Sequence, residues 1–330
     1  MRRVASIVLA LLVVASTLLV PGRSAALGPY PALGGCPIFP QPPASLPVTA
    51  PSLPTEAAWN QDISKAPVAR NSAATIAYID AHGGDRLHPD FGSPRAYGFP
   101  YAVVGAGQRR LPIRYTAYGD ESDTGPFPIP KVAPVEGGNR SDGDRHVLVV
   151  DRSSCTLYEL YRAFFKRGGG GHWNADSGAR WDLRSAARRP DSWTSADAAG
   201  LPIFPGLPHY DEIAAGRVTH AVRITFDSTR DAWVHPASHC AGDTANPNAP
   251  AMGTRLRLKA GYSLRGFSGA ARTIAVALKH YGAIVADNGS NWFFGGTSDR
   301  RWNDGNLNQL KRIPGSAFQV VRSAARPHIC

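Results

Sequence analysis

No apolar run long enough to cross a bilayer follows Val20, no cysteine pair is spaced as C-x-x-C, and no compact Lys/Arg tract occurs in the 330 residues. The first absence argues against a membrane-spanning body, because a helical span needs about 20 apolar residues. The second removes the usual ligand spacing of a structural zinc site. The third removes the basic stripe with which nucleic-acid binders hold phosphate, so no nucleic-acid partner is expected. Several catalytic signatures are missing as well. G-x-S-x-G is absent, and Gly266-Phe267-Ser268-Gly269 lacks the spacing of a nucleophile elbow. The glycine run Gly168 to Gly171 lacks the Lys-Ser/Thr ending and the following helix that a phosphate cradle needs. His235 and His239 stand four apart without the Glu of H-E-x-x-H, and Pro236 between them works against a helix. No metal and no other cofactor is therefore expected, and no internal repeat is visible.

What is present begins with Arg2 and Arg3, an apolar run from Val4 to Val20, and the small residues Ser24, Ala25 and Ala26. This order of basic, apolar and small regions predicts a signal peptide over residues 1–26. Its removal would leave an exported, extracellular chain without a stable membrane anchor. Of the formal charge of +11, three come from Arg2, Arg3 and Arg23, which leaves +8 on the mature chain. A basic surface suits an acidic polymer, although the arginines are scattered. Cys36, Cys155, Cys240 and Cys330 make an even set, and in an exported chain this predicts two disulfides. Four cysteines allow three pairings. We expect Cys36 with Cys330, joining the ends, and Cys155 with Cys240.

Residues 27–60 include the proline-rich run CPIFPQPPASLPVTAPSLP, which predicts an extended surface strap. Residues 61–330 read as a single β-rich domain. Asn71 or Ser72 starts a short helix that Gly83 and Gly84 stop, and Ser268 to Tyr281 forms a longer one capped by Ser268 and ended by Gly282. Strand Arg145 to Asp151 turns through Arg152, Ser153 and Ser154 into strand Cys155 to Tyr161, the clearest hairpin in the chain. In VTHAVRITF, Val218, His220, Val222, Ile224 and Phe226 alternate with Thr219, Arg223 and Thr225, which predicts a strand with one buried face. TRLRLKA repeats the pattern with Arg255, Arg257 and Lys259 directed outward. Together these elements predict a mostly β fold, a sandwich or jelly-roll-like domain with one or two peripheral helices.

The stretch Trp173 to Glu212 concentrates acids, arginines, aromatics and turn formers, and we expect it to form one wall of a cleft. Cleaving a glycosidic bond takes one carboxylic acid to protonate the leaving oxygen and one carboxylate to activate water or attack. Glu159 shares a strand face with Cys155, Leu157 and Tyr161, surroundings that raise a carboxyl pKa and suit a general acid. Asp182 lies beside Arg180 and Arg184, Asp197 sits in the loop of the same stretch, and Asp287 ends an apolar strand at Asp-Asn-Gly. These four acids are the catalytic candidates. Competing structural readings are salt bridges for Glu159 and Asp182, a capping acid for Asp197 and turn chemistry for Asp287. Five of the seven tryptophans, Trp173, Trp181, Trp193, Trp292 and Trp302, fall in two acid-bearing segments. Trp181, Trp193, Trp292 and Trp302 are read as sugar-stacking candidates, and His220 as lining a cleft; a core role is the competing reading for each.

The runs CPIFP, RLHPDFG, GDRHVLVVD, LYELYRA, WTSADAAGLPIFPGLPHYDEI, LRLKAGYS and IVADNGSNWFFGG, in that order, resemble an uncharacterised secreted bacterial β-rich module. The resemblance implies one extracellular module and supplies no catalytic residue. The sequence is thus read as a secreted, monomeric glycan-degrading enzyme, a glycoside hydrolase with paired carboxylates acting on a polysaccharide, an acidic one being compatible with the net basic charge. The alternatives are a lyase on acidic polysaccharide and a non-catalytic carbohydrate- or cell-surface-binding protein.

Overall fold

The computed structural model describes residues 58–93 and 97–330, together with Leu33, Gly35 and Cys36. The predicted signal peptide and most of the strap lie outside the described residues. The fold is mostly β and sandwich-like, with 26% of residues in strands against 16% in helices. Among the described residues, helices α1 (Ser72–Ala81), α2 (Tyr210–Ala214), α3 (Gly269–His280) and α4 (Asp304–Leu307) complete it. The two longer ones, α1 and α3, are the helices expected from sequence, whereas α2 and α4 are single turns.

The large sheet has six strands in the order His88–Pro89, Phe293–Phe294, Val222–Phe226, Ala283–Asn288, Arg255–Leu258 and Phe318–Val320. Val222–Phe226 runs parallel to Ala283–Asn288 and is joined to it through antiparallel Arg255–Leu258 and α3. The alternation read in VRITF now has a physical cause. Val222, Ile224 and Phe226 turn to the core that contains Ile274 and Leu278 of α3, so burial selects that face. The opposite face is covered as well: Arg223 is 5% exposed. The outward course expected for Arg255 and Arg257 is also corrected. The segment around Gln61 and Ile63 lies over that face, where Arg255 donates to Gln61 Oε1 at 2.7 Å and Arg257 to the Ile63 carbonyl.

The middle sheet runs Tyr101–Val104, Val147–Asp151, Thr156–Tyr161 and Ser177–Asp182. Its hairpin is the one expected, with Val147 opposite Leu160 and Asp151 opposite Thr156. Every residue of Val147–Asp151 is buried, because each face of this sheet packs on a separate cluster. Val147, Val149 and Leu160 meet Trp173 and Ala175 of a small sheet formed by Ile113–Tyr115, His172–Ala175 and Phe164–Lys166. Leu148, Val150 and Leu157 meet Ala196, Ile203, Phe204 and Leu207 of a loop. The same loop places Ala199 and Leu201 in the core of the large sheet. It is the filling between the two sheets, and Ala199 N–H donates to Ala286 O at 2.9 Å to hold it there. Gly200 makes the turn at φ +69°, where a Cβ would come within 2.5 Å of the Trp193 carbonyl.

The disulfides pair Cys36 with Cys155 and Cys240 with Cys330, which corrects the expected pairing. Cys36 reaches the turn of the hairpin. Cys240 meets a chain end brought alongside Arg230–Trp233 by the late strand His328–Ile329. The start of α3 holds a second local correction: the Ser268 side chain does not cap it. Asn306 does, accepting Ala271 N–H at 2.9 Å and donating to Ser268 O at 2.9 Å. Asn306→Ala should therefore cost about 1 kcal/mol, as loss of a helix cap does, read as a lower urea midpoint at unchanged slope.

Candidate functional site

The loop between the sheets is fixed from both sides by charged groups. From the middle sheet, Glu159 is 0% exposed. Its carboxyl accepts Ile203 N–H at 3.0 Å, Phe204 N–H at 2.9 Å and Trp181 Nε1–H at 3.1 Å. Burial pushes the carboxyl up to about 7, and these three donors hold it from rising further. The expected neighbours Cys155, Leu157 and Tyr161 do share its surroundings. What they surround is an anchor for the short 3-10 turn Phe204–Gly206, with no opening to solvent.

From the large sheet, Arg223 grips Asp197 with two hydrogen bonds, Nη2 to Oδ1 at 2.5 Å and Nε to Oδ2 at 3.0 Å. Asp197 is 0% exposed and Arg223 lies over the Phe99 ring at 5.2 Å. Burial works against the guanidinium charge, but Asp197 outweighs it and holds Arg223 above its ordinary range. Asp287, at the end of the adjacent strand, brings Oδ2 to 3.5 Å from Arg223 Nη2. Its Oδ1 accepts Asn288 N–H at 2.8 Å. Burial and the negative charge of Asp197 push Asp287 up to about 7, and Arg223 only partly offsets them.

A second buried cation stands beside this group. His146 Nδ1 lies 2.5 Å from Glu136 Oε2, and its Nε2 lies 3.0 Å from Ala196 O. Burial alone would lower the His146 pKa, but the Glu136 carboxylate overrides it and raises the ring to about 9. Burial likewise acts to raise Glu136, and His146⁺ outweighs it, leaving the carboxyl below its ordinary 4.5. Tyr161 tilts over His146 at 5.5 Å between ring centres. Burial raises its hydroxyl pKa, and Asp144 adds to the rise. Two carboxyl groups of this network reach solvent, Glu136 at 25% and Asp287 at 26% side-chain exposure. The arrangement thus offers one carboxyl that keeps its proton near neutrality and one that is ionised, both beside buried cations.

Three of the four acids singled out from sequence, Glu159, Asp197 and Asp287, are therefore electrostatic neighbours. Asp182 is not brought to them. It pairs with Thr156, on the sheet face opposite Glu159, and its Oδ1 accepts Arg184 N–H in a surface turn. The aromatic platform is corrected for most of its members. Trp292 is 0% exposed and donates to Asp80 Oδ1 at 2.9 Å. Trp302 is buried and donates to Thr297 O at 2.8 Å. Trp181 is buried on Glu159, and Trp173 is buried in the second core cluster. Trp193 is half-buried, with the Arg189 guanidinium 5.3 Å over its ring. His220 is buried, lies just before the strand Val222–Phe226, and has its Nε2 3.1 Å from Glu212 Oε2. It lines no cleft.

Glu136, His146, Arg223 and Tyr161 were not singled out from sequence. Glu136 lies in a loop with no periodic pattern. Alternation places Arg223 on the strand face opposite the core, and the loop that covers this face leaves no local signal. An apolar pocket bordered by Trp59, Trp181, Leu201 and Pro202 touches the same loop, and no acid is among its lining residues. Comparison of the chain with protein-family models, curated proteins and solved structures found no match.

Removing the guanidinium should expose how the loop is held. Arg223→Met would leave Asp197 buried and unpaired, and a loss of about 3–5 kcal/mol is expected in chemical denaturation. The double variant Arg223→Met/Asp197→Leu should regain a large part of it, because no uncompensated charge remains.

Proposed function

We propose that the protein is a secreted glycoside hydrolase in which Asp287 is the general acid and Glu136 the carboxylate that activates water or attacks. The observation that carries this reading is the opposite bias of two solvent-reaching carboxyls within one charge network. Asp287 is raised to about 7, whereas Glu136 is held below its ordinary value by His146. A separation of carboxyl pKa values by environment is what acid–base hydrolysis of an acetal requires. Asp287 would protonate the glycosidic oxygen, and Asn288 N–H with Arg223 would orient it. Glu136 would act on the opposite side of the anomeric carbon, its negative charge kept by His146. Glu159 and Asp197, first in line on sequence grounds, are positioning residues in this scheme, since both are sealed from solvent.

The lyase alternative loses weight on chemical grounds. Its uronate-neutralising arginine would have to be free, but Arg223 is committed to Asp197. Its proton-abstracting tyrosine would need a lowered pKa, but that of Tyr161 is raised. The binding-protein alternative loses the stacking surface of Trp181, Trp292 and Trp302. Export is supported by the leader pattern and by two disulfides, which persist in oxidising compartments. Among the described residues, no helix is long and apolar enough to cross a membrane.

Two outcomes follow for a polysaccharide panel assayed by reducing-end release. Asp287→Asn and Glu136→Gln should each lower kcat by at least about 100-fold, the scale of general acid–base assistance; Asp287→Asn should melt close to the parent protein, whereas Glu136→Gln unpairs the buried His146 and should melt lower, so its kcat is measured below its own transition. No activity difference in either variant would remove the assignment. The acid must enter protonated, so kcat/KM should fall as pH rises through about 7. The carboxylate must be ionised and is held low, so activity should persist on the acid side down to below 4.5. A profile that instead rises through pH 7 would reverse the two roles or exclude them.

A further inference from the structure

We infer that Asp191, His235 and His328 form a binding site for one divalent transition-metal ion of the zinc class. Three segments remote in sequence place these groups together, and one ligand atom from each lies within 4.8 Å of the others. His235 follows the strand Arg230–Trp233. His328 pairs with Trp233 across the late strand His328–Ile329, two residues before the disulfide to Cys240. The buried Trp233 indole orders both rings: His328 stacks on it at 3.9 Å and 3° between planes, and His235 tilts against it at 5.1 Å. The third group arrives from the loop, where Asp191 Oδ1 stands 3.4 Å from His235 Nε2. Two ligands each about 2.0–2.1 Å from a tetrahedral zinc ion are about 3.3 Å apart, so this edge already has the spacing of a coordination polyhedron.

The bland reading is a surface ion pair. Arg188 Nη1 lies 3.3 Å from the same Asp191 oxygen and accounts for Asp191 on its own. It does not account for His328, whose ring nitrogens have no hydrogen-bond partner among the described residues. Imidazole nitrogen with a carboxylate oxygen is the donor set of zinc and its neighbours, and it does not suit calcium or magnesium. Three protein ligands leave a fourth position for water or an exogenous donor. Asp191 is 53% exposed and His235 26%, so an ion can enter without unfolding. His239, four residues from His235, belongs elsewhere: its Nδ1 lies 2.9 Å from Ala198 O.

The test is calorimetric titration of zinc chloride into untagged, metal-stripped protein with its disulfides intact, with no glycan present. One zinc per chain is expected. The affinity should fall at least tenfold in His235→Ala, in His328→Ala and in Asp191→Asn, and stay unchanged in His239→Ala. Cobalt(II) added to the parent protein should give visible d–d absorption that His235→Ala abolishes, and zinc should raise the melting temperature of the parent protein alone. Absence of stoichiometric binding at micromolar zinc, or equal affinity in the three ligand variants, would overturn the site. An equal loss in His239→Ala would overturn the ligand set. None of these readouts depends on hydrolase activity, so the metal site and the acid pair stand or fall separately.

Discussion

The ion pair between Arg223 and Asp197 is the constraint on which the rest of the molecule depends. A guanidinium on the inner face of the large sheet and a carboxylate on the intervening loop are both closed off from water. Burying such a pair is costly unless its geometry is near ideal, and here it is bidentate. The pair sets where the loop lies, and the loop sets where the middle sheet can pack. Glu159 completes the arrangement from the other side by receiving the Ile203 and Phe204 amides. A loop that would otherwise carry unsatisfied backbone groups between two sheets is thereby held at both ends.

Burial and pairing together explain the chemistry around that pair. Four carboxyls, from Glu136, Glu159, Asp197 and Asp287, share the neighbourhood with two cations, Arg223 and His146. Burial is the largest cause raising Glu159 and Asp287, and the negative charge of Asp197 adds to it. Asp197 takes Arg223 and Glu136 takes His146, while burial leaves Glu159 and Asp287 both raised to about 7. A proton neutralises what the protein does not. One of those two raised carboxyls is sealed and serves the fold, and the other reaches solvent and can serve a reaction.

Much of the scaffold was legible because it rests on local periodicity. The strand at Val222–Phe226, the hairpin through Arg152 to Ser154 and the long helix before Gly282 all follow from spacing that a core selects. The buried face of Glu159 was legible for the same reason. Its partner was not, because the amides of Ile203 and Phe204 are donors that any residue possesses. Alternation also misled: it identifies the apolar face of a strand, and it is silent on whether a loop covers the polar one. For this reason alternation alone directs Arg223 and Arg257 toward solvent. The tryptophans failed differently. Indole N–H groups settled on Asp80, Thr297 and Glu159, and only for Trp302 and Thr297 is that partner close in sequence. Glu136 and His146 are ten residues apart, but the turn between them joins a structureless loop to a strand, and no pattern announces that the two side chains meet.

The pairing of the cysteines has a consequence for how this chain can be made. Cys36 closes on Cys155 and Cys240 on Cys330, so the first bridge is complete in sequence before the second begins. Neither loop encloses the other. A chain delivered amino end first into an oxidising compartment meets its cysteines in the order in which they belong together. Oxidation in order of emergence would give the native pairs without reshuffling. The pairing of Cys36 with Cys330 that the sequence suggested would have held Cys36 unpaired until Cys330 emerged.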